Sequence, residues 1–244
     1  MKRLLLFGLA LSALAGLAWW LLLPPALTLR IDAKHQAFGV LYPRRAAGLT
    51  CARSVLTALA YCAPSDKRAA TYTQLLRALE SGAERVDFGF STDRSEPVVR
   101  PLDPDAKPAP GQRVLPTQTM LQLKTLEHGY LLLRIEPAGA LLELAARRRW
   151  LETPVAEIAR SALSASIAVG ESTQPNVLLA TFALEYRTAD EAEAALRKLT
   201  GTDSVSSLGY VAQPGSRQIV RATKIVTIRY DVNADLVVQA LNAR

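Results

Sequence analysis

The chain has 244 residues, a formal charge of +7, 50% hydrophobic residues and 21% charged residues. That balance excludes a disordered chain, and the length allows one large or two small domains with proper cores. The basic excess is spread along the sequence without aromatic interleaving, which excludes nucleic acid as an expected partner.

The first element is an apolar run over residues 4–23, broken only by Ser12 and two glycines. Twenty helical residues rise about 30 Å, the thickness of the bilayer hydrocarbon. The run therefore reads as a transmembrane signal anchor with membrane lipid as its partner. Trp19 and Trp20 fall at the membrane interface, and Pro24 and Pro25 end the helix. Residues 1–3 form a cytoplasmic start in which Lys2 and Arg3 favour an N-in orientation. The expected location is then the inner (plasma) membrane, single pass, with the bulk of the chain in the periplasm or outside the cell. Cleavage after Ala15 or Ala18 is the rival reading, and it leaves a mature chain with a Trp- and Leu-rich start.

Residues 27–43 alternate apolar and polar side chains and read as a strand or hairpin. Residues 49–62 place Leu49, Ala52, Val55, Leu56 and Leu59 at helical spacing. Ser65 caps a second helix, over 66–81, and Gly82 stops it. Residues 85–91 alternate as a strand. Together these define a first α+β module over residues 28–96. A Pro-rich linker over 97–116 follows, with six prolines and two solvated carboxylates, Asp103 and Asp105.

The second α+β module is expected over 117–244. Residues 118–137 read as a hairpin turning at Glu127-His128-Gly129, and 141–168 as helical with a fresh start at Thr153-Pro154. Residues 176–188 are apolar enough for a central strand. Thr188 and Glu191 form a capping box before a helix that ends at Gly201. Strands over 205–212 and 217–232 flank the turn 213–216, and Asn233 caps a last helix. The fold class expected is therefore α+β: an N-terminal transmembrane helix and two small α/β-sandwich-type modules, the C-terminal one ferredoxin-like in βαββα order.

Cys51 and Cys62 are the only cysteines. In an oxidising compartment a pair becomes a disulfide, but a continuous helix separates them by about 16 Å of rise, far beyond bridging distance. Helix and local disulfide exclude each other, and both remain open at this point. No metal or cofactor is expected, because ligand spacings, Gly-rich phosphate loops and nucleophile motifs are absent from the sequence. No catalytic residue is assigned. The two histidines, His35 and His128, read as unrelated surface residues. The densest charge is Arg147-Arg148-Arg149 followed by Trp150, a candidate binding cluster for lipid headgroups or an acidic partner.

The function expected from these features is a non-catalytic structural or interaction role. The protein would be a membrane-anchored envelope component in a membrane-associated assembly with protein partners. The alternatives are a binding module for cell-wall polymer or lipid, and an exported hydrolase with an unassigned site. Long apolar strands over 176–187 and 217–231 offer edges for partner pairing.

Overall fold

The computed structural model describes residues 23–45, 50–61, 66–90, 98–101, 110–139, 158, 161–200, 213 and 215–242. The strands are β1 (Leu27–Asp32), β2 (Ala37–Leu41), β3 (Val86–Phe90), β4 (Val98–Pro101), β5 (Gln112–Leu115), β6 (Gly129–Ile135), β7 (Ser164–Glu171), β8 (Val177–Glu185), β9 (Gln218–Ala222) and β10 (Ile225–Asn233). The helices are α1 (Thr50–Tyr61), α2 (Asp66–Glu80), α3 (Thr117–Lys124), α4 (Ala189–Thr200) and α5 (Ala234–Asn242).

Eight strands form one sheet in the order β4-β3-β2-β6-β7-β8-β10-β9, and every neighbouring pair is antiparallel. β1 and β5 form a separate two-stranded ribbon. Side-chain alternation sends one set of each strand's residues to the helices and the other set to the opposite face. In β10, Val226, Ile228, Tyr230 and Val232 are buried in a core shared with α4 and α5. In β2, Leu41 faces the α1–α2 core while Phe38 and Val40 face the core under the ribbon and α3. Both faces are thus covered at β2, and the strand is apolar throughout.

Local chemistry explains the helix limits. The Thr188 hydroxyl accepts from the Glu191 backbone N–H at 3.1 Å, and the Glu191 carboxylate accepts from the Arg187 N–H at 3.0 Å. Asn233 Oδ1 accepts from the N–H groups of Asp235 and Leu236 and starts α5. α2 ends at Glu80, and Gly82 just beyond it takes a φ of +66°, which glycine adopts without a Cβ penalty.

The expected fold class is corrected in three respects. First, the two modules share a sheet. β2 from the first pairs with β6 from the second over five residues, from Ala37↔Ile135 to Leu41↔Leu131. α1 binds the halves from the helix side: Cys51 packs in the C-terminal core and its neighbour Ala52 in the N-terminal one. A sheet whose next strand is buried on both faces has no reason to stop at a module boundary. Second, the C-terminal part is not a closed ferredoxin-like unit, because β8 pairs onward with β7 and extends the sheet towards β2. Residues 217–232 are not one strand either: Thr223, with φ of 53°, and Lys224 turn them into the β9–β10 hairpin.

Third, the transmembrane helix is not supported. No helix among the described residues is long and apolar enough to cross a membrane. Residues 1–22, with Trp19 and Trp20, lie outside the described residues.

Local corrections follow the same logic. The expected hairpin at 118–137 begins as helix α3. Met120 and Leu123 bury one helical face there, and the alternation of Leu121 with Leu123 is incidental. The helical reading of 141–168 gives way to strand β7 from Ser164 onward, and 140–157 lie outside the described residues. β1 and β2 are not a hairpin, since they belong to different sheets. The Pro-rich linker contributes β4 and β5, while Asp103 and Asp105 lie outside the described residues.

Candidate functional site

The residues singled out by sequence do not converge. Arg147, Arg148, Arg149 and Trp150 lie outside the described residues, as do Trp19, Trp20 and Cys62. The disulfide expectation is corrected: Cys51 is a buried free thiol, and α1 runs unbroken to Tyr61 without the fold-back that a local bridge needs. Burial pushes the Cys51 thiol up, the nearby Glu171 carboxylate adds to this, and a backbone hydrogen bond from Asn176 opposes it. A thiol held protonated is a poor nucleophile.

The histidines are also placed differently from expectation. His35 is only 1% exposed, with Nδ1 at 3.2 Å from the Asp32 carbonyl oxygen and its ring against Gly89. It sits on the ribbon side of the sheet, whereas Cys51 sits in the helix-side core, so they form no nucleophile pair. His128 occupies the turn before β6 with φ of 44° and stays solvated. Among the described residues, no group of three or more His, Cys, Asp or Glu is placed to hold a metal ion.

What the fold does assemble is a polar cleft between α3 and the sheet. Gln118, Thr119 and Gln122 come from α3, Arg134 from β6, Ser164 and Ser166 from β7, Ala183 and Glu185 from β8 and Ile225 from β10. Arg134 is its centre. Its guanidinium donates to Thr119 Oγ1 at 3.0 Å, to Glu136 Oε1 at 3.2 Å and to Glu185 Oε2 at 2.9 Å. The Ser164 hydroxyl donates to the same Glu185 oxygen at 2.8 Å, and the Ser166 hydroxyl to Gln122 Oε1 at 2.7 Å. Burial pushes the Glu185 carboxyl up. The hydrogen bonds from Ser164 and Arg134, with the charges of Arg134 and Lys224, outweigh it and hold the group below its ordinary value.

This cleft ties α3 to the sheet. Its free space is about 30 Å³, room for a water or two. Its one cation faces two carboxylates, so an incoming anion meets neutralised charge. A general acid or base needs a group free to exchange its proton with substrate, and Glu185 is committed to Arg134 and Ser164.

The cleft opens sideways onto a second feature. Among the described residues α4 and α5 pack on one face of β8, β10 and β9, while on the other face α3 meets Ala183, Glu185 and Ile225 at the cleft. On that face burial fades strand by strand along one cross-strand row: Ala183 is buried, Thr227 half-buried, and Val220 is 62% exposed. β9 is the last strand on that side among the described residues, and the strand expected over 205–212 lies outside them. It pairs with β10 alone among the described residues, and its residues are exposed apart from the half-buried Ile219. At the opposite end of the sheet β4 is only four residues long and carries Pro101, which has no N–H to offer. β9 has no proline, and among the described residues no strand pairs with its outward flank.

Sequence reasoning had marked the long apolar segments as pairing edges without resolving which one was free. β8 and β10 are interior strands, and of the marked segments 218–222 is the edge among the described residues. The Arg134 cluster was missed. Its signal was a lone charge in the otherwise apolar strand GYLLLRI, matched by the glutamate ending VLLATFALE. No family model matches the chain, and neither does any curated protein or any solved structure.

Proposed function

We propose that the protein is a non-catalytic interaction module that receives an extended segment of a partner protein on the free flank of β9. The observation that carries this reading is the asymmetry of the sheet ends. One end is blunted by Pro101, and the other presents a proline-free strand with Val220 62% exposed. Native sheets blunt edges that are not used, because an open edge recruits strands indiscriminately. Strand addition would complete the ladder through backbone hydrogen bonds. It would also cover Val220, which stands beside the half-buried Thr227 of β10. The polar cleft supports the role mechanically by fixing α3 and the sheet as one rigid platform.

The test places a photo-crosslinking residue at Val220, with Tyr61 as a control, since Tyr61 is 88% exposed and far from the edge in sequence. A defined adduct at position 220 alone is expected. Amide exchange over 218–222 should slow when the captured partner is added back. Equal adducts at both positions, or exchange at 218–222 unchanged by the partner, refutes strand addition.

A further inference from the structure

We draw no further inference here: the strongest candidate, the His35 ring buried in the turn between β1 and β2 against Gly89 with its Nε2 unpartnered, carries no pH switch, because the segments joining β3 to β4 and β4 to β5 lie outside the described residues and nothing in the structure shows which charges face the ring.

Discussion

Replacing Arg134 with methionine removes the charge at the centre of the polar cleft and keeps an apolar stem of similar length. The guanidinium is 8% exposed and donates three hydrogen bonds, to Thr119, Glu136 and Glu185. Stripping one partner from a fully buried ion pair costs about 3–5 kcal/mol. Here the partners Glu136 and Glu185 keep 41% and 37% of their side-chain surface. Water therefore replaces part of what they lose, and the expected cost falls to about 2 kcal/mol. The pH dependence carries the sharper test. Glu185 is held below its ordinary value, so it contributes stability above the ordinary glutamate range and loses it as pH falls through its folded value. In Arg134→Met, burial is opposed only by Ser164 and Lys224. The carboxyl then rises towards its ordinary value, so the share of the acid loss that Glu185 contributes shrinks. Urea unfolding followed by circular dichroism across a pH series reads both quantities. A variant within about 0.5 kcal/mol of the parent at neutral pH, or one with an unchanged acid limb, refutes the assignment of Arg134 as the cleft's anchor.

Gly39→Ala tests the shared sheet. A Cβ there would lie 2.1 Å from the Leu132 carbonyl oxygen and 2.7 Å from the Phe88 ring, so β2 and β6 must part. A loss above about 3 kcal/mol is expected, with faster amide exchange in both strands. Asp87→Ala removes a 2% exposed carboxylate that accepts from Arg85 at 2.7 and 2.8 Å and from the Arg30 backbone N–H at 2.9 Å. Thermal unfolding should report a loss of about 3 kcal/mol, because the Arg85 charge is left half-buried without its partner. In a Cys62→Ser background, Cys51 should resist iodoacetamide in the native protein and react fully in urea, as its burial and raised pKa require. Rapid native alkylation, read by mass, contradicts that placement.

Much of the local structure was legible in the sequence, and for identifiable reasons. The Thr188–Glu191 box, the Asn233 cap and the Gly82 stop each rest on chemistry within a few residues, and each is found where that chemistry put it. The helices at 50–61 and 66–80 follow from apolar spacing. Illegible were features decided across long distances. Residues 37–41 and 129–135 look alike whether they close two small sheets or join one. The choice lies in whether β2 finds cover on both faces, which depends on α1, α3 and the ribbon together. The long apolar stretch 217–232 hid its turn because Thr223 in a left-handed conformation carries no glycine or asparagine signal. Arg134 and Glu185 meet only because β6, β7 and β8 lie side by side; each segment shows a lone charge, but neither shows which strand supplies its partner.

The junction between β2 and β6 also sets an order of events as the chain is made. Val40 and Leu41 emerge early, and their partners Leu132 and Leu131 only after the helices, β3, β4 and the Pro-rich stretch have followed. At about 5–20 residues per second the flank of β2 waits several seconds for its neighbour. β3 can shield one side of it in that interval, but the other side carries an apolar strand with open backbone groups. The nascent N-terminal half therefore passes through a stage in which an apolar edge is exposed at a position later buried on both faces. Expression yield should be more sensitive to substitutions along Ala37–Leu41 than their effect on the finished fold would suggest.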